Sequence, residues 1–369
     1  MTRPGLRCAL LLAGLVATAC GRARLETGEV ARCTHVQATR QVRGVAICED
    51  AWSCGRPPDG PRDRVSLTRL APCGNLLGSL VVYLPDRHQH GDVTGSDARE
   101  DVRLYLAQAG LRVWSLGYRT HTRTFTGSDE TPPAVDWDFD TFADDVDWAM
   151  GFARGTEASR GIWLLGVGDG ATFAYDMARR GQPLLAGIVA LDGAATATPP
   201  GSSAAMLQAG PPGVDWRAWR ALLGLVQVSP LAASPVPGYA TARDALETLL
   251  WNDPVYGGAG GLSAAREGAS DPRLLARYLE AADRWWPRDV LQTSMPGKPD
   301  RTVPVLAIAS GRRPAEWLAT VRASAERFGG DGAVVRSLPN LGHLDLLRGR
   351  LSPRQVFEPV RAFIVSHQR

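Results

Sequence analysis

The chain has 369 residues, of which 44% are hydrophobic, and a net charge of +3, values typical of a globular protein with a large buried core. Acidic residues are spread among the arginines without a basic block, so the composition gives no support for nucleic-acid binding. There is no internal repeat.

The first twenty residues have the layout of an export signal. Two arginines precede an apolar run from Ala9 to Val16, and small residues follow it. The run is too short to span a bilayer as a stable helix. Cys20 then precedes Gly21, which resembles the bacterial lipoprotein signal, in which this cysteine is lipidated and becomes the new N-terminus. We therefore expect a signal peptide over residues 1–19 and a lipid-anchored protein of the bacterial cell envelope, with a periplasmic or secreted protein as the alternative.

Four further cysteines lie close together in the sequence, namely Cys33, Cys48, Cys54 and Cys73. In an exported chain, such a group favours two disulfides, although the spacing leaves their pairing open. A zinc site is the competing interpretation, but the spacings match no common zinc pattern.

The next segments predict two kinds of structure in turn. Residues 31–75 contain strand-like pieces around the turn-rich GRPPDGPRD, which indicates an antiparallel lead-in. From residue 79, the apolar run LVVYLP, the helical pattern DAREDVRLYLAQAG and the strand-like LRVWSLGYR follow one another. This alternation predicts parallel strands joined by right-handed crossovers.

The alternation continues through a helix, the strand-like IWLLG, a second helix and GIVALDG. Thr141 and Asp144 predict a capping-box-like start for the first of these helices. The second is expected to begin near Asp169 or Gly170.

From about residue 194 to residue 301 the alternation stops. This segment is rich in Pro, Gly, Ala and Trp, and its helical stretches near 214–227, 241–251 and 271–285 predict an inserted cap. Strand and helix patterns resume with VPVLAIASG, and a last helix is predicted to start at Ser352, with Pro353 in the first turn and Gln355 completing a capping box. The predicted parts are a signal peptide (1–19), a tether and β lead-in (20–76), a first core part (77–193), a helical cap (194–302) and a second core part (303–369).

This order of elements resembles the α/β-hydrolase superfamily over roughly residues 65–369. The resemblance rests on VVYLPDRHQHG, YLAQAGLRVWSLGYRTH, the turn at 163–172, GIVALDG, VPVLAIASG and LGHLDLLRG, which occur in the expected order. It implies an α/β-hydrolase fold, with a mostly parallel doubly wound sheet and a helical cap, and descent from an esterase or lipase-like enzyme.

The turn that holds the nucleophile in active members lacks a serine here. Residues 166–170 fit the frame G-x-S-x-G, but Gly168 stands at the serine position and has no side chain with which to attack. We therefore expect the backbone turn to persist without serine chemistry. Asp169 is an alternative nucleophile, because some superfamily members use an aspartate at this turn; otherwise it is a helix-start residue favoured by the helix dipole.

The resemblance places His343, in LGHLDLLRG, at the position of the general base. The usual acid position after VPVLAIASG reads GRRP and offers no carboxylate. Asp192, in ALDG, either orients the histidine, as in some members, or caps the end of a strand. His343 in turn could activate water or hold a polar ligand, or it could be retained for packing, with Asp345 bonding to local backbone donors.

Three histidines are candidate binding residues. His88 and His90 lie in the loop after LVVYLP and His121 follows the next strand, so we expect them to meet His343 at the rim where such sheets bind ligands. Together with Asp92 they also form a possible zinc site, although loop histidines are common without metal.

The expected function is that of an envelope lipoprotein derived from an esterase or lipase-like hydrolase. It would lack serine-triad catalysis and bind a partner or a small acyl- or ester-like ligand, without a metal or other cofactor. The alternative is an active hydrolase of ester or acyl substrates that uses Asp169, or a histidine-bound metal, together with His343. The sequence does not predict an oligomeric state.

Overall fold

The computed structural model describes residues 33–74, 79–91, 95–121, 135–196, 206–252, 269–291 and 299–368. The predicted signal segment, Cys20 and Asp92 lie outside these residues. Within the described ranges, no helix is both long enough and apolar enough to cross a membrane.

A nine-stranded sheet forms the centre of the molecule. In chain order its strands are β1 (Cys33–Val42), β2 (Val45–Gly55), β3 (Arg64–Pro72), β4 (Leu80–Leu84), β5 (Arg112–Gly117), β6 (Ile162–Val167), β7 (Leu185–Leu191), β10 (Val305–Ser310) and β11 (Ala333–Leu338). Their spatial order is β1-β2-β3-β5-β4-β6-β7-β10-β11. The pairs from β1 to β3, and β3 with β5, are antiparallel, whereas all pairs from β5 to β11 are parallel. The predicted mostly parallel sheet with an antiparallel lead-in is confirmed.

Helices pack on both faces of this sheet. They are α1 (Val102–Gln108), α2 (Phe139–Thr156), α3 (Asp169–Arg179), α7 (Ala315–Gly329), α8 (Asp345–Arg348) and α9 (Glu358–Ser366). Along β4, Val81 and Tyr83 join one hydrophobic cluster, while Leu80, Val82 and Leu84 join the other. This alternation explains the unbroken apolar run of the strand, because both of its faces are covered.

The described part of the segment between β7 and β10 combines helices with turns and a small strand pair. It contains α4 (Trp216–Val228), α5 (Ala242–Asn252) and α6 (Pro272–Glu280), together with a small antiparallel pair, β8 (Met206–Gln208) and β9 (Trp285–Pro287). The third predicted helical stretch was too long. It ends at Glu280, because the backbone from Trp285 onward pairs with β8 instead of continuing the helix.

Two disulfides hold the lead-in together, as predicted. Cys33 pairs with Cys54, directly opposite it in the β1–β2 register, and Cys48 pairs with Cys73, just beyond β3. The first bond closes the hairpin, and the second ties β2 to the chain that leads into the core.

One predicted helix start and one predicted side-chain cap were wrong. The capping residue of α2 is Asp138, whose carboxylate accepts from the amide of Thr141 at 2.8 Å, so Thr141 is the third residue of the helix rather than its cap. Ser352 does not cap the last helix, because its hydroxyl donates to the carbonyl of Asp345. A π-type turn over Pro353–Phe357 precedes α9.

Candidate functional site

The turn between β6 and α3 keeps the sharp shape that a nucleophile requires. Gly168 has φ +50° and ψ −120°, a left-handed conformation that L side chains disfavour. At the flanking Gly170, a Cβ atom would lie 2.2 Å from the carbonyl oxygen of Leu84. The G-x-S-x-G frame is therefore retained in the backbone, as the sequence indicates.

The space beside Gly168 is filled by Asp86, which lies two residues beyond β4. A Cβ atom built on Gly168 would be 2.3 Å from Oδ1 and 2.4 Å from Cγ of Asp86. The Asp86 side chain is buried. A carboxylate from a different strand end therefore lies where a serine side chain would begin.

The same carboxylate accepts hydrogen bonds from two backbone amides. Its Oδ1 accepts from the amide of Asp169 at 2.8 Å and from the amide of Arg87 at 2.9 Å. These donors belong to the residue after the nucleophile position and to the loop after β4. Hydrolases of this superfamily form their oxyanion hole from such a pair. Asp86 therefore lies in the position where a developing oxyanion would be bound.

His343 lies between two carboxylates. Its Nδ1 is 2.7 Å from Oδ2 of Asp192, and its Nε2 is 2.9 Å from Oδ2 of Asp86. Asp192 also accepts from the amide of Ser310 at 2.9 Å and from Arg313 Nε at 3.1 Å. The contact of Asp192 with Nδ1 has the geometry of a triad acid with its histidine. The structure thus brings Asp192 and His343 together, although the usual acid position is empty of carboxylates.

The charges of this cluster fix its protonation. Burial alone would lower the pKa of His343, but the hydrogen bonds to Asp192 and Asp86 raise it to about 9. Burial alone would raise the pKa of Asp86, but the bond to His343 and the charge of Arg87 lower it to about 2. The pKa of Asp192 is also lowered, because the bond to His343 outweighs burial. At neutral pH an imidazolium therefore bridges two carboxylates, and it has no free lone pair with which to act as a base.

Asp169 does not meet the histidine. Its carboxylate pairs with Nε of Arg87, and burial raises its pKa despite that cation. Among the described residues, both ring nitrogens of His343 are occupied by Asp86 and Asp192. This geometry does not position Asp169 for nucleophilic attack assisted by His343.

The three candidate binding histidines, His88, His90 and His121, lie near Asp283 and not near His343. The rings of His90 and His121 stack at 4.5 Å, and their Nε2 atoms lie 2.7 Å and 3.4 Å from the two carboxylate oxygens of Asp283. The carbonyl of His88 accepts from the amide of Asp283 at 2.7 Å. The expected convergence of all four histidines does not occur, because His343 is held by its own two carboxylates.

Burial disfavours the charged form of two histidines in this cluster. Burial lowers the pKa of His88 to about 3 and that of His121 well below its usual value. Within the part of the chain that the structure describes, no group of three or more His, Cys, Asp or Glu side chains is arranged to hold a metal ion. Asp92, the carboxylate of the zinc interpretation, lies outside these residues.

The turn between β6 and α3 at Gly168, called the elbow from here on, borders a very small cavity. A cavity of about 10 Å³ lies between Asp86, Gly168, Asp192 and Trp317. That volume holds about one water molecule. This cavity between described residues is too small to hold an ester substrate.

Sequence reasoning missed Asp86, Arg87 and Asp283. Asp86 and Arg87 were placed only in a polar loop, since their contacts with Gly168 and Asp169 cross more than eighty residues of chain. The sequence did contain an indication of Asp86. It is a carboxylate just after the strand-like LVVYLP, in a chain that lacks the serine of the G-x-S-x-G frame. Asp283 carried no comparable signal, because it lies in the cap.

Comparison with solved structures identifies the architecture. A protein from Sulfolobus solfataricus, described as a candidate lipase, superimposes with a TM-score of 0.68 at 21% identity, over 88% of this chain and 95% of its own. A hydrolase from Pseudomonas aeruginosa has a TM-score of 0.48 at 13% identity, over 85% of this chain and 97% of its own. A monoacylglycerol lipase from Paleococcus ferrophilus has a TM-score of 0.46 at 12% identity, over 82% of this chain and 98% of its own. No family model matches the sequence, and no curated protein matches it.

The chain has the α/β-hydrolase fold. The sheet order, the cap and the turn at Gly168 define it, and the first of these comparisons supports it. Within that fold, Gly168 offers no nucleophilic side chain, and Asp86 fills the space beside it.

Proposed function

We propose that this protein is an envelope-anchored α/β-hydrolase-fold protein that lacks serine-triad catalysis and acts by binding a ligand or partner. The observation that carries the proposal is the position of Asp86. Its carboxylate occupies both the nucleophile space and the two oxyanion amides, and it holds His343 as an imidazolium. Serine-type acyl transfer needs each of these three groups to be available.

The proposed location rests on two features of the N-terminal region. The first twenty residues carry an export pattern that ends at Cys20. The disulfides Cys33–Cys54 and Cys48–Cys73 suit an oxidising compartment outside the cytoplasm. Acylation of Cys20 would then keep the folded domain at a membrane surface.

The test of this proposal combines labelling with turnover. Purified protein is treated with a fluorescent phosphonate that reacts with activated serines, and is assayed against a panel of short- and long-chain acyl esters. We expect no labelling and no hydrolysis above that of His343→Ala. A known serine hydrolase in the same plates checks the reagents. Labelling at the elbow, or ester hydrolysis that is lost in His343→Ala, would contradict the proposal.

A second candidate function is hydrolysis with Asp86 as the nucleophile. It is favoured by one observation: Oδ1 is held by two amides, while Oδ2 faces the imidazole. In such a reaction Oδ2 would displace a leaving group from an alkyl carbon, giving an ester of Asp86. Because an ester of Asp86 carries no charge, it would no longer raise the pKa of His343, and the imidazole, once neutral, would activate the water that cleaves that ester. The test is to assay the wild type and Asp86→Asn against alkyl halides and epoxides. Turnover by the wild type that Asp86→Asn lacks would support this candidate and contradict the non-catalytic one.

A further inference from the structure

A second cavity lies apart from the elbow, where four parts of the chain meet. Its volume is about 340 Å³, at the lower end of the range for small-molecule pockets. Its polar lining comes from β1, from the segment before α1, from α6 and from α8: Arg40, Gly95, Ser96, Arg277, Tyr278 and Arg348. The lead-in, the core and the cap therefore build this cavity jointly.

Three guanidinium groups line the cavity, and their charges are not equally compensated. Arg40 pairs with Glu49. Arg348 is 3.9 Å from the carboxylate of Asp101, but that carboxylate forms two shorter bonds with Arg103, at 2.7 Å and 2.9 Å. Among the described residues, Arg277 has neither an ion pair nor a side-chain hydrogen bond. Among the described lining residues, positive charge therefore exceeds negative charge.

Arg348 is held rigidly beside this space. It is 6% exposed, its guanidinium stacks over the ring of Tyr278 at 4.2 Å, and Nη1 donates to the carbonyl of Glu100. Among the described residues, its Nε–H has no acceptor. A buried cation with unused donor capacity is stabilised by an anion nearby. Because the guanidinium is already fixed, binding such an anion would cost little side-chain entropy.

The remaining wall of the cavity is apolar. Leu274 lies on the lining side of α6, and the ring of Tyr278 adds further carbon surface. We propose that this cavity binds a small organic carboxylate, with its carboxylate group at Arg277 and Arg348 and its short apolar body against Leu274 and Tyr278. This inference rests on the proposed ligand-binding function and names the site and the chemical class of the ligand.

The experiment uses two probes and two matched variants of the full chain. Binding of sodium hexanoate and, separately, of inorganic phosphate is measured by isothermal titration calorimetry. Arg277→Gln removes the uncompensated cation, while Arg273→Gln makes the same change one turn earlier on α6, at an exposed position that does not line the cavity. We expect hexanoate to bind the wild type and Arg273→Gln equally, and to bind Arg277→Gln about tenfold more weakly. Unfolding curves check that both variants fold.

Three results would overturn the inference. The wild type would bind neither probe, phosphate would bind without hexanoate, or the two variants would weaken binding equally, as a general surface charge effect predicts. None of these results bears on Asp86 or His343. The labelling and ester assays test the loss of serine chemistry separately, so the two failures are distinguishable.

Discussion

The carboxylate of Asp86 lies where the first side-chain atom of a residue at position 168 would stand, 2.3 Å from it at the nearest atom. The two positions are therefore complementary: a side chain at 168 and the present rotamer of Asp86 exclude each other. The space beside Gly168 holds a charged group that also bonds to His343. A side chain introduced at position 168 alone therefore meets this carboxylate.

Gly168→Ser alone is expected to destabilise the protein without restoring activity. The new Cβ would collide with the Asp86 carboxylate at a backbone φ of +50°, so a buried, hydrogen-bonded group would have to move. Overpacking of this kind costs about 1–3 kcal/mol. Urea unfolding measures the change in the free energy of unfolding. Gly151→Ser is a control, because it adds the same side chain on α2, where a Cβ meets no atom within 4 Å.

Asp86→Ala combined with Gly168→Ser is expected to gain ester hydrolysis. The double change clears the oxyanion amides of Arg87 and Asp169 and frees Nε2 of His343, while the bond from Nδ1 to Asp192 remains. Acid–base assistance alone suggests a rate at least about 100-fold above that of either single variant, measured with p-nitrophenyl acetate. Adding Asp192→Asn should remove the gain. A double variant that hydrolyses the ester no faster than Gly168→Ser would show that Gly168 and Asp86 alone do not account for the expected lack of activity.

Stability should fall as pH rises from about 7.5 to 9. The pKa of His343 is raised to about 9 in the folded protein, against 6.5 unperturbed, so its contribution is fully present below pH 6.5 and is lost as pH rises through the folded value. A shift of this size corresponds to on the order of 3 kcal/mol. The depressed pKa values of His88 and His121 give a slope of opposite sign near pH 6.5, where the unfolded histidines titrate, and the depressed pKa of Asp86 acts only at lower pH.

Chemical unfolding at a series of pH values measures this dependence, and NMR titration of the imidazole gives the pKa of His343 directly. His343→Gln should abolish the alkaline slope. His367→Gln, which removes an imidazole that packs on Phe363, should leave it intact. An unchanged slope in His343→Gln would assign the effect to another group.

The sequence predicted those parts of the fold that depend on a local, periodic pattern of apolar residues. The unbroken apolar run of β4 and the capped pattern of α1 need only their own neighbours to be recognised. The start of α2 was misplaced because Asp138 and Thr141 both resemble caps, and only the backbone geometry shows which one is used. The bond between Asp86 and His343 joins residues 257 positions apart, and no local pattern specifies it.

The predicted lipid anchor has a direct test. If Cys20 is acylated, cells grown with a radioactive fatty acid should label the wild-type protein, which should fractionate with membranes. Cys20→Ser should lose the label and appear in the soluble fraction, whereas Cys8→Ser, within the predicted signal peptide, should retain both properties. Equal labelling of the wild type and Cys20→Ser would contradict the lipoprotein assignment.

The two disulfides should contribute to stability in different ways, although they close loops of similar length, with sequence separations of 21 and 25 residues. Chain entropy alone gives each a stabilisation of about 3 kcal/mol. Cys33–Cys54 lies in the hairpin of β1, an edge strand whose side chains are mostly exposed, so its loss should release that strand without unfolding the core. Cys48–Cys73 fixes the strand that pairs with β3, whose Val65, Leu67 and Leu70 are buried.

Paired cysteine-to-alanine variants of each bond separate these effects. Loss of Cys48–Cys73 should lower the midpoint of global thermal unfolding. Loss of Cys33–Cys54 should mainly reduce hydrogen-exchange protection over β1, with a smaller change in the midpoint. Each variant is the control for the other, because the number of cysteines removed is the same. A larger loss of global stability on removing Cys33–Cys54 would mean that the hairpin unfolds together with the core rather than before it.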